Sequence, residues 1–143
     1  MKTTVFLAFM LSTVLSLLAK EPGRFVTEPD YRENRAKQAA TSPMTLEQLR
    51  KYGVTDQTEL KLEYFFYTNS APKAAKLAEA LKKKGYTVEH GPSASDKKIQ
   101  VITGWTEKMK MSEAVVVAWT NSMSDIGFEA DCDFDGWGTN PKQ

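Results

Sequence analysis

The chain has 143 residues, of which 41% are hydrophobic and 26% charged, a composition typical of one globular domain and unlike collagen or a disordered chain. The formal net charge is +1, so the strongly basic character of most nucleic-acid-binding domains is missing. The single cysteine, Cys132, excludes an internal disulfide and a cysteine-based metal cluster.

Residues 1–19 have the pattern of a secretory signal peptide. Lys2 precedes an uncharged apolar run over residues 5–18, and Ala19 is a small residue at the expected cleavage site. The run is shorter than the ~20 apolar residues that a bilayer span needs. We therefore expect an exported protein, periplasmic or secreted, with no stable membrane span after cleavage and a net charge near zero once Lys2 is lost.

Residues 20–54 read as a linker with one short helix. The first part is polar and contains Pro22 and Pro29, which favours extended chain, with helix open as an alternative at residues 31–40. The stretch "SPMTLEQLRKYG" then has helix start and stop signals, with Ser42 as the cap and Gly53 just past the end.

Residues 55–143 switch between the periods of strand and helix in the order strand, helix, strand, strand, helix, strand. "LKLEYFFYTN" alternates as a strand, and "APKAAKLAEALKKKG" has a helical apolar stripe that ends at Gly85. "YTVEHGPS" and "KKIQVITGW" are short strands, and a second helix runs from a Ser112 cap to Gly127. Its predicted inner stripe is Val115, Ala118, Trp119, Met123 and Ile126.

This order predicts an α+β fold, a ferredoxin-like βαββαβ sandwich preceded by the short helix. Its sheet would have four antiparallel strands, with two helices on one face and the last strand at an edge. That last strand, "FEADCDFD" over residues 128–135, alternates throughout. Its acidic side chains would lie together on the uncovered face, where water screens their repulsion: Glu129, Asp131, Asp133 and Asp135.

The final stretch, "DCDFDGWGTNPK", begins like an EF-hand calcium loop. A strand enters it instead of a helix, however, and Lys142 stands where the loop needs a bidentate Glu. No metal ligands are therefore predicted, and a calcium-binding exported protein stays a secondary alternative. In "DGWGT" we expect a turn after Asp135, with Trp137 either closing the core or exposed as an anchor for a partner.

The block from Leu60 to Thr139 resembles the regulator of ribonuclease activity B family, bacterial proteins that inhibit ribonuclease E. The resemblance is most specific at the end, where "FDGWGT" is similar to the "YDGWGT" signature of the family, with Phe134 in place of the Tyr. It implies a ferredoxin-like fold and a role in binding another protein rather than transforming a substrate.

Catalytic and cofactor motifs are not found in the sequence. His90 is the only histidine, no nucleophile motif surrounds Ser93 or Ser95, and the glycines lack the spacing of phosphate-binding loops. Aromatic residues on the open face of such a sheet could stack on RNA bases, but the nearby acids would repel the phosphates. The residues concerned are Phe65, Tyr67 and Trp105.

The sequence thus favours a non-enzymatic, exported binding module without a cofactor, acting on an envelope protein with a basic surface. Its predicted partner-binding residues are the four acids of the last strand, Glu129, Asp131, Asp133 and Asp135, together with Trp137. The main alternative is a cytoplasmic inhibitor of ribonuclease E, which requires that residues 1–19 do not act as a signal.

Overall fold

The computed structural model describes residues 23–143, so the predicted signal peptide lies outside the described residues. The helices are α1 (Glu28–Arg50), α2 (Ala71–Lys83) and α3 (Glu113–Glu129). The strands are β1 (Glu59–Leu60), β2 (Glu63–Thr68), β3 (Glu89–Pro92), β4 (Gln100–Trp105), β5 (Met109–Lys110) and β6 (Asp133–Gly138).

Four strands form one antiparallel sheet in the order β3-β4-β2-β6, and β1 pairs with β5 in a separate two-stranded sheet. The last strand therefore lies at an edge, as the sequence predicts. Side chains at alternate positions of the sheet are fully buried, among them Tyr64, Phe66 and Ile102. Together with the buried residues of α2 and α3 they form a single core, and the predicted α+β class is confirmed.

The helix α2 agrees with its sequence pattern. Ser70 caps the first turn by accepting a hydrogen bond from the backbone N–H of Lys73. Gly85, with φ +86°, follows the last turn in the left-handed conformation that glycine adopts at low cost. The whole predicted stripe is buried: Ala74, Leu77, Ala78 and Leu81.

The helix α1 corrects the prediction of a linker followed by a short helix, because one helix of 23 residues spans both segments. Pro43 lies inside it and cannot donate to the carbonyl one turn earlier. The Ser42 hydroxyl donates to the Gln38 carbonyl at 2.8 Å, and Leu46 and Leu49 enter the core. Packing of the second half therefore keeps the helix continuous where local sequence signals predict a break.

The helix α1 lies antiparallel to α3. Arg35, in its first half, donates to Asp125 near the end of α3 at 2.8 Å. Arg50, its last residue, donates to the carbonyl of Met111 just before α3 at 2.9 Å. Asn34 donates to the Phe134 carbonyl of β6 at 2.6 Å. The edge of β6 is thus covered by a helix instead of being left open to pair with another strand.

The helix α3 also differs from its prediction, because it continues through Gly127 to Glu129. A Cβ atom at Gly127 would stand 2.8 Å from a ring carbon of Phe66 and 2.8 Å from the Cys132 carbonyl oxygen. This glycine therefore permits close packing inside the helix and does not end it. The buried residues are Val116, Trp119, Thr120, Met123, Ser124 and Gly127, whereas the predicted Val115 and Ala118 are exposed.

The buried stripe of α3 is broader and more polar than one apolar row because α1 packs along this helix while the sheet covers another side. Within residues 23–143, no helix has the length and apolar character required to cross a bilayer.

Candidate functional site

The strand β6 contains a β-bulge that the sequence pattern does not reveal. Phe134 pairs with Phe66 and Gly136 with Phe65, so Asp135 is an extra residue on the β6 side. Gly136 has φ +128°, a conformation that residues with a Cβ rarely adopt. The predicted turn after Asp135 is therefore wrong, and β6 continues to Gly138.

The bulge shifts the side-chain alternation by one and turns Trp137 toward the core, opposite Tyr64. Its ring meets that of Trp119 edge to face at 6.5 Å. Its indole Nε1 donates to the Ser42 hydroxyl of α1 at 3.0 Å. Of the two placements open from the sequence, Trp137 thus has the one that closes the core, where it joins β6 to α1 and α3. Its role in partner binding stays a prediction.

The four predicted acids do not share one strand face, because β6 begins only at Asp133. Glu129 is the exposed last residue of α3. Asp131 is buried in the connection to β6, with φ 56°. Asp133 is half-buried, and Asp135 is exposed at the bulge. The strict alternation of "FEADCDFD" is therefore divided between a helix end, a left-handed turn and a strand.

Asp131 holds three segments together. Its carboxylate accepts hydrogen bonds from the backbone N–H groups of Phe25 and Val26, each at 2.8 Å, and from the Lys73 ammonium of α2 at 2.6 Å. Burial acts to raise the pKa of Asp131. The Lys73 hydrogen bond, the two backbone hydrogen bonds and the charge of Lys73 outweigh burial and lower that pKa below its usual value.

The pKa of Asp133 is shifted in the opposite direction to that of Asp131. Burial, followed by the charges of Asp135 and Asp30, raises its pKa, while Lys37 opposes the shift. Asn34 donates to its carboxylate at 3.2 Å. Asp133 lines a pocket of ≈ 300 Å³ between α1 and β6, together with Asp30, Glu33 and Lys37. An additional cation near Asp133 would therefore be favourable.

The calcium reading receives no support from this geometry. The Asp131 carboxylate is directed to Lys73 and the chain near Val26, while Asp135 is exposed. Among residues 23–143, no three His, Cys, Asp or Glu side chains are grouped so that they could hold a metal ion.

Two further residues have side chains of a reactive type. Cys132 is buried, and burial raises the pKa of its thiol to about 11. His90 is exposed on the edge strand β3.

The face of the sheet opposite the core, here called the open face, has an aromatic centre. Residues paired across neighbouring strands share a face, so the register places Phe65 beside Thr103, Tyr67 beside Val101, and Glu63 beside Trp105. These side chains are half-buried. As the sequence predicts, three aromatic residues lie here: Phe65, Tyr67 and Trp105.

Carboxylates border the open face on both sides. Asp133 pairs with Tyr67 from β6, and Glu89 pairs with Thr103 from β3. Glu63 lies next to Trp105 within the face. The sequence analysis missed Glu63 and Glu89 as site residues, although each stands at an outward position of its strand and alternation alone could have identified them.

One comparison with known proteins decides the family. A family model described as regulator of ribonuclease activity B matches residues 39–139. The chain belongs to this family. No curated protein matches the chain.

The regulator of ribonuclease activity B match covers the four-stranded sheet, α2, α3 and the second half of α1. It begins at Ala39, so the residues that cover β6 from the first half of α1, Asn34 and Gln38, precede the matched region. The "FDGWGT" signature coincides with β6 and its end. Gly136 permits the bulge, Trp137 closes the core, and Thr139 donates to the Lys61 carbonyl at 2.7 Å.

Replacing Trp137 by Ala should destabilise the fold, because it removes the contact with Trp119 and leaves the Ser42 hydroxyl without its donor. We expect a loss of about 3 kcal/mol in the free energy of unfolding, measured by urea denaturation. Trp137→Phe, which keeps most of the apolar surface, should lose about 1 kcal/mol. Unchanged stability in Trp137→Ala would contradict this placement.

Replacing Asp131 by Asn should cost about 2 kcal/mol at neutral pH, because the buried ion pair with Lys73 is broken. The folded-state pKa of Asp131 is lowered. Its stabilising contribution is therefore complete above the unfolded pKa of about 4 and is lost as the pH falls through the folded value. Urea denaturation at pH 7 and at pH 3 should show the difference between wild type and variant shrinking in acid. Asp135→Asn, at an exposed site, is the control, and a pH-independent difference for Asp131→Asn would refute the assignment.

Proposed function

We propose that this protein is a non-catalytic regulator that acts by binding another protein, which is ribonuclease E if the chain stays in the cytoplasm and an envelope protein if the chain is exported. The observation that carries the proposal is the regulator of ribonuclease activity B match over residues 39–139. Binding to protein rather than to RNA is supported by the carboxylates that border the open face, since they would repel phosphates.

The partner is proposed to carry a basic surface. Of the predicted partner-binding residues, Glu129 and Asp135 are exposed and Asp133 is half-buried. Asp133 and Asp135 lie on β6, where charge complementarity would steer a basic partner and fix its orientation. Asp131 and Trp137 contribute indirectly, because their contacts hold β6, α1 and α2 in place.

We infer that the sheet with α2 and α3 is a ferredoxin-like sandwich. The support is the element order β2-α2-β3-β4-α3-β6 together with the antiparallel strand order β3-β4-β2-β6. The helix α1 is an addition outside this βαββαβ unit and packs on α3 and along the β6 edge.

The compartment is proposed from residues 1–19, whose composition is that of a secretory signal. An exported form would act on an envelope protein, since export separates it from a ribonuclease inside the cell. A retained form would meet ribonuclease E directly. The compartment thus decides the partner.

The first expected outcome concerns inhibition. The purified protein should lower the rate at which ribonuclease E cleaves a fluorogenic RNA. This inhibition should saturate as the concentration of the purified protein rises. Asp133→Lys combined with Asp135→Lys should weaken this inhibition about tenfold, because like charges then face a basic partner. Glu79→Lys on α2 is the matched control. Cleavage at an undiminished rate with wild-type protein in excess would reject ribonuclease E as the partner.

The second expected outcome concerns location. Cell fractionation with an intact mass on the recovered protein should give a product that begins near Lys20 outside the cytoplasm. A full-length cytoplasmic product would instead reject export and leave ribonuclease E as the partner to assay.

A further inference from the structure

The strands of the open face, as far as the structure describes the chain, carry carboxylates and no positively charged side chain, and Lys37 of α1 stands near Asp133 from outside the sheet. Within residues 23–143, the register assigns no Lys, Arg or His to an outward position of β2, β3, β4 or β6. His90 pairs with the buried Ile102 and so belongs to the other side. The chain as a whole has a net charge of +1, so the negative charge of this face is local and not a property of the whole surface.

The aromatic centre and the acidic border are interleaved. Tyr67 has Asp133 on one side and Val101 on the other, and Trp105 has Glu63 beside it. The side of Phe65 toward β6 is occupied by Gly136, which adds no side chain above the sheet. A ring with a carboxylate at its edge offers a cation two favourable contacts at once, one with the ring face and one with the acid.

We propose that the open face binds an extended, arginine-bearing segment of a partner protein, with guanidinium groups stacked on Tyr67 and Trp105 and paired with Asp133 and Glu63. Arginine suits the face better than lysine because its planar guanidinium stacks on rings and pairs with a carboxylate through two hydrogen bonds. An extended segment directs every second side chain to the same face. This inference rests on the proposed function, whose partner it describes more closely.

The test uses the full chain and an alternating arginine–glycine peptide as the probe. Amide NMR shifts should be centred on β2 and β4, and the affinity should exceed that for the matched lysine–glycine peptide. Tyr67→Thr and Glu63→Lys should each weaken binding about tenfold. Thr is chosen because its β-branched side chain suits a strand, and thermal unfolding verifies that each variant is folded. Tyr52→Thr and Glu79→Lys, at exposed positions outside the open face, should leave the affinity unchanged.

Several results would overturn the proposal. No binding of the arginine peptide, or equal losses in the Tyr52 and Glu79 controls, would reject the face as its site. Tighter binding of oligouridine at the same amides would make it a nucleic-acid surface. Concentration-dependent shifts without peptide would assign the face to a second copy of the chain. The full chain could also fail to bind the peptide while deletion of residues 1–19 changes the NMR shifts of the same amides. That result would assign the open face to the N-terminal segment.

The ribonuclease assay separates this proposal from the proposed function. Inhibition that persists undiminished in folded Tyr67→Thr and Glu63→Lys would keep the regulatory function and reject the open face as the docking surface. Binding of the arginine peptide without inhibition of ribonuclease E would keep the surface and reject that enzyme as the partner.

Discussion

The β-bulge at Asp135 is the constraint on which the rest of this structure depends. A regular strand through residues 133–138 would place Phe134 and Trp137 on opposite faces. With one extra residue accommodated by Gly136, both face the core. Trp137 then reaches Trp119 and the Ser42 hydroxyl, which fixes α1 beside α3. The same shift places Gly136, instead of Asp135, opposite Phe65 on the open face.

The elements that could be predicted from the sequence are those whose local pattern and tertiary environment agree. The apolar stripe of α2, its Ser70 cap and Gly85 all point to one helix between the same limits. The strands β2 and β4 alternate because one face is buried and the other is not. Their outward aromatic residues were correctly placed for the same reason.

The elements that could not be predicted depend on contacts far apart in sequence. The helix α1 is mostly polar, lacks a continuous apolar stripe along its length and contains Pro43, so its continuity comes from packing against α3 and β6. The bulge cannot be seen in a strict alternation, since nothing in "DFDGW" shows which residue lacks a partner. The burial of Asp131 requires Lys73 and the backbone near Val26, neither of which is its neighbour in sequence.

Acids spaced two residues apart thus have separate roles in this protein. Asp131 is a structural anion whose hydrogen-bond donors are supplied by the fold. Asp133 shares a pocket with two further acids of α1 and only one lysine. The negative charge of this pocket is therefore only partly compensated. Asp135 occupies the bulge and is exposed. The difference arises from geometry, because the left-handed turn at Asp131 directs its side chain away from the other two.

The buried thiol of Cys132 has a consequence for where this protein can work. With a pKa of about 11, only about one thiol in ten thousand is ionised at neutral pH, and the thiolate is the form that oxidants and disulfides attack. The chain has no second cysteine with which to form a bridge. We therefore expect the covalent state of Cys132, and with it the packing of the core, to be the same in reducing and in oxidising surroundings.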